Sequence, residues 1–295
     1  MHKRIILQKP DYFSFEACLD FLNRGYAECL YHVEDKSVKR LIRLESGLSI
    51  IKVADNNNEL LIDIDKDNIS TLDLIEIESY IIDWFDLKRD LYEFYKLLEN
   101  QTLTESFSSE FYGLRLMGIV DIFEALCWCV IGQQINLSFA HKIKTRLVHK
   151  YGDCVTHNGE KYYCFPTPSQ LISCDRDELV AMKFSKQKIN YIANLSNVFY
   201  SGELSKQKLL KLEADEQMKR LTSIKGIGPW TANYVSMKTL GNMRCIAYGD
   251  TGLSSALHTV FSTDKKPTNA KIDEIFKQFR PWESYFNFYL WKSLS

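Results

Sequence analysis

The chain has 295 residues, of which 45% are hydrophobic and 25% charged, a balance that is ordinary for a globular protein with room for two domains. No apolar run reaches the roughly 18 residues that a membrane helix needs. The run that follows Lys3 and Arg4 is too short for a signal peptide. Composition therefore argues against a membrane or secreted protein, and we expect a protein that works in the cytoplasm without a membrane partner.

The eight cysteines indicate neither a metal centre nor a disulfide framework. They are scattered along the chain, and no two form the Cys-x-x-Cys pair of a zinc ribbon or a ferredoxin-type cluster. Several lie in apolar segments, where a reduced cysteine behaves as a small hydrophobic residue. We expect reduced thiols in a reducing compartment.

Charge is distributed unevenly along the chain. Residues 1–112 contain 13 lysines and arginines against 22 aspartates and glutamates, whereas residues 113–295 contain 24 against 16. The net charge of −1 thus combines an acidic first part with a basic second part. Such asymmetry hints at nucleic-acid binding by the basic part, although two domains of unequal charge without such a partner would give the same counts.

Residues 1–100 are predicted to form an α+β domain built on an antiparallel sheet. Short segments rich in Ile, Leu, Val and Tyr alternate with polar turn clusters, such as the one at residues 55–58. The predicted strands cover residues 3–8, 28–33, 39–44, 48–53 and 60–64, and the predicted helices cover 15–22 and 72–85.

Residues 101–295 are predicted to form a mostly helical domain, because apolar side chains recur there at helical spacing. Asp121, with Glu124 three residues later, is typical of a capped helix start, and the residues that follow are apolar nearly all round. The predicted helices cover residues 122–131, 137–150, 168–174, 186–200, 213–223, 229–240, 251–261, 269–279 and 282–291.

A helical hairpin is predicted over residues 213–240. Gly226 and Gly228 flank Ile227, and Pro229 then occupies the first-turn position that proline favours. The second helix would begin with backbone N–H groups that lack an acceptor, an arrangement that suits a phosphate. A plain hairpin of two helices without a ligand is the alternative.

Five stretches together resemble the helix-hairpin-helix DNA glycosylase superfamily, and most closely the bacterial 3-methyladenine DNA glycosylase II type. They read GIVDIFEALCWCVIGQQI, FPTP, IKGIGPWTANY, GDTGL and PWESYFNFYLW. The resemblance implies an N-terminal antiparallel α/β domain, then two helical lobes with a cleft between them. It also implies an enzyme of base excision repair that removes alkylated purines from duplex DNA, and it includes no cofactor for catalysis.

Asp250 is the predicted catalytic residue, within the segment 247–253. The resemblance places an essential aspartate about one helix length beyond the hairpin, and this position is Asp250. A carboxylate suits the reaction, because cleavage of the bond between base and sugar builds positive charge on the sugar. Asp250 also precedes a predicted helix, so a helix cap is the alternative role. Ala247 and Gly249 depart from the proline and acidic residue that are often found before the aspartate.

Position 230 predicts the reaction type. Members of the superfamily that also cleave the strand have a lysine there, whose amine forms a Schiff base with the sugar. This chain has Trp230, so a monofunctional glycosylase that uses water is expected. Two alternatives remain open: a non-catalytic DNA-binding protein that uses the hairpin alone, and an 8-oxoguanine-type glycosylase, which would be expected to carry that lysine.

The resemblance also implies residues for the base pocket and for DNA contact. Trp230, Tyr234 and Trp282 are expected to stack on the base, whereas Tyr285, Phe288 and Trp291 are expected in the core. The wedge that fills the gap left by the flipped base is expected at Gln134, with Ile135 beside it. Contacts with the DNA backbone are expected at Gly226, Ile227, Gly228 and Thr231.

A monovalent cation, Na⁺ or K⁺, is a further expectation of the resemblance. Its ligands would be the backbone carbonyls of Thr222, Ile224 and Gly226, which leave no side-chain signal. The expected partner is duplex DNA that contains an alkylated purine, and the protein is expected to be a monomer.

Overall fold

The computed structural model describes residues 3–294. Its N-terminal part contains a five-stranded sheet, which confirms the prediction of an antiparallel α+β arrangement, because every neighbouring pair of strands is antiparallel. The strands are β1 (Lys3–Gln8), β2 (Tyr31–Glu34), β3 (Ser37–Leu44), β4 (Gly47–Asn56) and β5 (Glu59–Asp65), in the order β1-β5-β4-β3-β2. Helices α1 (Phe15–Leu22) and α2 (Thr71–Phe85) accompany the sheet.

Alternation of side chains determines which face of the sheet is buried. In β5, Leu60, Ile62 and Ile64 are buried while their neighbours are partly exposed, as a strand with one covered face requires. Helix α2 begins at a capping box formed by Ser70 and Asp73. The resulting helix buries a stripe of apolar side chains in the same cluster as the sheet.

The rest of the described chain is mostly helical. The helices are α3 (Tyr92–Glu99), α4 (Glu105–Glu110), α5 (Ile122–Gly132), α6 (Leu137–Tyr151), α7 (Pro168–Ile172), α8 (Arg176–Ala181), α9 (Lys186–Tyr200), α10 (Lys206–Leu210), α11 (Ala214–Thr222), α12 (Pro229–Lys238), α13 (Thr251–Phe261), α14 (Asn269–Phe276) and α15 (Glu283–Lys292). Between residues 3 and 294, no helix is both long enough and apolar enough to cross a membrane.

One element of this region differs from the helical prediction. Strands β6 (Cys154–His157) and β7 (Glu160–Tyr163) form an antiparallel ribbon. Its turn is Asn158-Gly159, and both residues have positive φ, as a two-residue hairpin turn demands. Tyr162 and the following Cys164 pack on Leu41 and Ile50 of the N-terminal sheet.

The buried clusters do not follow the predicted division into residues 1–100 and 101–295. The first cluster joins the N-terminal sheet, α1, α2 and α3 with α13, α14 and α15 at the other end of the chain. The second cluster contains α5, α6, α9 and α12. Trp230 packs against both clusters, so α12 lies where the two meet.

Candidate active site

A cavity of about 990 Å³ lies where the two buried clusters meet. Its lining includes four parts of the chain that bear on the predicted site. They are the end of α1 with Phe21 and Arg24, the break between α5 and α6 with Gln134 and Ile135, the face of α12 with Trp230, Tyr234 and Lys238, and the segment Gly249 to Gly252 with Trp291. The cleft that the resemblance implies between the lobes is therefore present.

Asp250 lies in this cavity and caps α13. Its Oδ1 accepts a hydrogen bond from the backbone N–H of Leu253 (2.7 Å) and one from the indole of Trp291 (2.8 Å), and its Oδ2 accepts one from the indole of Trp230 (3.1 Å). The three donors fix the orientation of the carboxylate and stabilise its negative charge. The capping role and the position in the cavity are compatible, because one carboxylate has both.

The loop before Asp250 explains the two residues that depart from the family pattern. Gly249 has φ of +79°, a conformation that an acidic residue rarely adopts. Ala247 is fully buried, and its N–H donates to Oδ1 of Asn287 on α15 at 2.9 Å, a bond that proline could not make. The N–H of Cys245 donates to Oγ of Ser284 at 3.1 Å. Helix α15 thus holds the loop that carries the catalytic candidate.

Two of the three predicted pocket aromatics reach the cavity. Trp230 and Tyr234 are one turn apart on α12, and their rings stack with centroids 5.4 Å apart at an interplanar angle of 20°. Trp291 completes this wall, since its ring centroid lies 6.0 Å from that of Tyr234.

The structure does not bring Trp282, the third predicted pocket aromatic, to the cavity. Its ring packs against Phe94 (5.9 Å) and Tyr285 (6.1 Å), and it is not among the described residues that line the cavity. Trp291, which the sequence placed in the core, lines the cavity instead. A Cβ at Gly252 would lie 3.0 Å from Oδ1 of Asp250 and 3.4 Å from Cδ1 of Trp291, so the glycine leaves space around the contact between Trp291 and Asp250.

The hairpin forms as predicted between α11 and α12. Gly226 has φ of +100°, and a Cβ there would overlap the ring of Tyr191, so the turn requires glycine. Gly228 has φ of −92° and open space around its Cβ position, so the fold itself does not require glycine there. An external group that approaches the backbone closely would require it.

The N–H groups of this turn are available to a ligand. Within the described chain, the N–H groups of Gly228, Trp230 and Thr231 have no hydrogen-bond acceptor, as expected at a helix start that lacks a side-chain cap. Thr231 is buried, so its predicted contact is restricted to this N–H. The structure leaves Ile227 no free group for its predicted contact with DNA. Its side chain is buried, and its N–H donates to the carbonyl of Ile224 at 3.0 Å.

The break between α5 and α6 has a geometry that exposes the predicted wedge. Gln134 has φ of +58° and an exposed side chain at the rim of the cavity, and Ile135 is half-buried beside it. The amide of the preceding Gln133 donates to the carbonyl of Gly226 at 2.9 Å. This bond fixes the break against the hairpin, so the two predicted DNA-contacting segments are held together.

Two lysines of the basic second part of the chain, Lys144 and Lys188, are buried and have partners. Lys144 forms an ion pair with Glu28 at 2.7 Å on the cavity wall. Lys188 donates to the carbonyl of Ile131 at 2.7 Å. Neither amine is free for a phosphate, whereas Lys142 and Arg146 on the same helix as Lys144 are exposed.

Comparisons with known proteins identify the family of the chain. Residues 127–281 match the model of the HhH-GPD superfamily base excision DNA repair protein, and residues 11–126 match that of the 8-oxoguanine DNA glycosylase N-terminal domain. A DNA-3-methyladenine glycosylase of Bacillus subtilis is 37% identical, and the match covers 98% of this chain and 97% of that protein.

Solved structures show the same fold. The 3-methyladenine DNA-glycosylase from Archaeoglobus fulgidus matches with a TM-score of 0.85 at 22% identity, over 97% of each chain. The 8-oxoguanine glycosylase/lyase of Clostridium acetobutylicum matches with a TM-score of 0.78 at 20% identity, over 99% of this chain and 97% of that one. The chain therefore belongs to the HhH-GPD superfamily of base excision DNA repair proteins, as a DNA glycosylase.

Proposed function

We propose that this protein hydrolyses the bond between base and sugar at alkylated purines of the 3-methyladenine type in duplex DNA, without cleaving the strand. One observation carries the proposal: the carboxylate of Asp250 is held by three N–H donors in a cavity whose wall is Trp230, Tyr234 and Trp291. The Bacillus subtilis relative, which is similar along nearly its whole length, carries the name of that activity.

The negative charge of Asp250 acts on the sugar. As the base leaves, positive charge develops on the sugar ring, and an anion that is already oriented stabilises that state without reorganising. The same carboxylate orients the attacking water or accepts its proton. Because Leu253, Trp230 and Trp291 hold the group in place, little freedom is lost when the substrate binds.

The aromatic wall selects the base. An alkylated purine is electron-deficient, and a methylated one in DNA often carries formal positive charge, so it stacks favourably on electron-rich rings. The stacked pair of Trp230 and Tyr234 supplies such a surface beside the carboxylate. Discrimination against normal purines then comes from stacking strength and from the ease with which a damaged base leaves the helix.

Hydrolysis without strand cleavage follows from the residue types beside Asp250. Position 230 is a tryptophan, whose indole donates to Asp250 and cannot form a Schiff base. Lys238 lines the same cavity, but it lies two helical turns further along α12. We therefore assign the nucleophile to water.

DNA would be held by two segments on the same rim. The free N–H groups of Gly228, Trp230 and Thr231 suit one phosphate, and such a contact positions the protein without reading sequence. Gln134 and Ile135 would fill the space that the flipped base vacates.

A monovalent cation at the hairpin is part of the proposal. The carbonyl of Ile224 accepts one hydrogen bond and that of Gly226 accepts another, so each keeps a lone pair for a cation, as does Thr222. A bound Na⁺ or K⁺ would add positive charge beside the phosphate. The protein would act as a monomer in the cytoplasm, where its eight free cysteines remain reduced.

An 8-oxoguanine-type glycosylase is the second candidate, because residues 11–126 match the N-terminal domain of that family. The test uses two duplexes, one methylated and one with 8-oxoguanine opposite cytosine. We expect release of free 3-methyladenine from the first, with strands that stay intact until hot alkali cleaves the abasic sites. Release of 8-oxoguanine without release of 3-methyladenine would favour the second candidate. Strand cleavage without alkali would refute the monofunctional mechanism.

A further inference from the structure

The face of α12 that lines the cavity ends in a lysine. Trp230, Tyr234 and Lys238 follow one another at intervals of four residues, so they lie on one side of the helix, and all three line the cavity. At a rise of about 1.5 Å per residue, Lys238 is about 12 Å beyond Trp230 along the helix axis. Asp250 is bonded to Trp230, so it marks one end of this wall and Lys238 marks the other.

Lys238 differs from the other buried lysines in having no acceptor. Lys144 is paired with Glu28, and Lys188 donates to the carbonyl of Ile131. Lys238 is 8% exposed, yet within residues 3–294 its amine has neither a hydrogen-bond acceptor nor an ion-pair partner. Its Nζ lies 4.9 Å from the ring centroid of Phe288 and 5.5 Å from that of Phe21, both of which line the cavity. Its Nζ is not fully buried, so the amine is open to the cavity, where an acceptor on a ligand can reach it.

The charges around Lys238 leave this end of the cavity rich in donors. Arg24 lies 3.7 Å above the Phe21 ring, and it also lines the cavity. The carboxylate whose charge acts on Lys238 is that of Asp86, which already accepts from Arg89 at 3.0 Å and from Tyr285 at 2.5 Å. This end of the cavity therefore offers a ligand N–H donors from Arg24 and Lys238 and aromatic rings from Phe21 and Phe288.

Building on the proposed function, we propose that Lys238 is a specificity determinant, which donates a hydrogen bond to the six-position oxygen of a flipped oxopurine lesion such as 7-methylguanine. When the sugar lies at Asp250 and the base stacks on the aromatic wall, the edge of the purine that is remote from the sugar faces Lys238. An oxygen at that edge accepts the hydrogen bond. The six-amino group of 3-methyladenine presents N–H groups, which a protonated Lys238 cannot accept.

The protonation of Lys238 is compatible with a methylated base that carries positive charge. Burial, and next the charge of Arg24, lower the pKa of Lys238 to about 7, while Asp86 opposes the shift. Near neutral pH a substantial fraction of the amines is therefore uncharged. An uncharged amine still donates a hydrogen bond to an oxygen, and it does not repel the lesion. Because its lone pair also accepts from a six-amino group, the preference for the oxopurine should be greatest below about pH 7, where Lys238 is protonated.

The test compares two lesions that one methylating agent introduces into the same duplex, 7-methylguanine and 3-methyladenine. Single-turnover release of both bases is measured by chromatography for wild type, Lys238→Met and Lys238→Arg, after thermal unfolding has shown that the variants are folded. We expect the ratio of 7-methylguanine to 3-methyladenine release to fall about tenfold in Lys238→Met, the effect of one lost hydrogen bond to a polar ligand. Lys238→Arg retains a donor, so its ratio should stay within about threefold of wild type.

The outcomes separate this inference from the proposed function. An unchanged ratio in a folded Lys238→Met variant that still releases 3-methyladenine would overturn the role of Lys238 and leave the proposed function standing. A ratio that falls equally in Lys238→Met and Lys238→Arg would overturn it as well, since the donor would not be what matters. A wild-type protein that releases neither base would overturn the proposed function, and the role of Lys238 with it.

Discussion

The indole N–H of Trp291 donates a 2.8 Å hydrogen bond to Oδ1 of Asp250, and this contact joins the last helix of the chain to the start of α13. A Cβ at Gly252 would crowd both residues. Trp291 thus orients the carboxylate, and it also lines the cavity beside Tyr234, where we propose that the base stacks.

Replacement of Trp291 by phenylalanine removes the donor and keeps a ring. We expect the single-turnover rate of 3-methyladenine release to fall about 10- to 100-fold, because a hydrogen bond to a charged group contributes about 1.5–3 kcal/mol. Affinity for the damaged duplex should change much less, since the stacking surface is largely retained. The rate is measured with enzyme in excess over methylated DNA.

The matched control is Trp282→Phe, at the residue that immediately precedes the helix of Trp291. Trp282 packs against Phe94 and Tyr285 away from the cavity, so this variant should lose some stability while its rate stays close to that of wild type. If Trp282→Phe slows excision as much as Trp291→Phe does, the assignment of Trp291 as the tryptophan that orients Asp250 is wrong.

The two glycines of the hairpin should respond differently to substitution. Gly228→Asp places a negative charge where we propose a phosphate, and the open space there allows the chain to fold. Affinity should fall about tenfold or more, and by a similar factor for damaged and undamaged duplexes, because phosphate contacts do not read the base. Fluorescence anisotropy at one salt concentration measures both affinities.

Gly226→Ala is the companion variant. Its φ of +100° and the overlap with the ring of Tyr191 predict a lower melting temperature.

For Gly228→Asp, the contradicting result is a loss of affinity for the damaged duplex while affinity for the undamaged duplex is unchanged. That result would show that Gly228 does not contact a phosphate.

The ion pair between Glu28 and Lys144 predicts a pH-dependent stability. Burial alone would raise the pKa of Glu28, but the Lys144 ammonium and the N–H groups of Leu30 and Cys29 outweigh it and lower the pKa from 4.5 to about 2. A lowered carboxyl pKa stabilises the fold above about pH 4.5, and this contribution is lost as the pH falls towards 2. Its size is roughly 3 kcal/mol at 1.36 kcal/mol per pKa unit.

Glu28→Gln should remove this contribution. At neutral pH the free energy of unfolding should fall by about 3–5 kcal/mol, because Lys144 stays buried without its counter-charge. The difference between wild type and variant should shrink as the pH is lowered from 4.5 towards 2. Urea unfolding at several pH values measures it, and a difference that is constant over that range would show that Glu28 does not titrate as proposed.

Local sequence signals predicted much of the fold. Helices α1, α9 and α13 begin and end where the sequence placed them, because Ser14, Ser185 and Asp250 each accept from a backbone N–H of the first turn. The ribbon of β6 and β7 was missed although Asn158-Gly159 is a strong hairpin signal. Its strands are short and polar, and their main support comes from the distant β3.

Side-chain roles that depend on distant partners were not predictable. Helix α15 is buried on all sides from Glu283 to Leu290, so its periodicity does not reveal which face meets the cavity, and Trp282 was chosen over Trp291. The pairing of Lys144 with Glu28 could not be read from the sequence, because the two residues are 116 positions apart. Asp250 was assigned from the family resemblance, which places an aspartate about one helix length beyond the hairpin, and the structure has this residue in the cavity.

The most direct test of the central claim is single-turnover release of 3-methyladenine by Asp250→Asn. The substitution removes the negative charge but little volume, and the amide oxygen can still accept from Leu253 or from an indole. We expect the rate to fall by a factor on the order of 10² or more, as for other preorganised electrostatic groups. Affinity for methylated duplex should stay close to that of wild type. A rate near that of wild type, in a variant that binds the DNA normally, would contradict the assignment of Asp250 as the catalytic carboxylate.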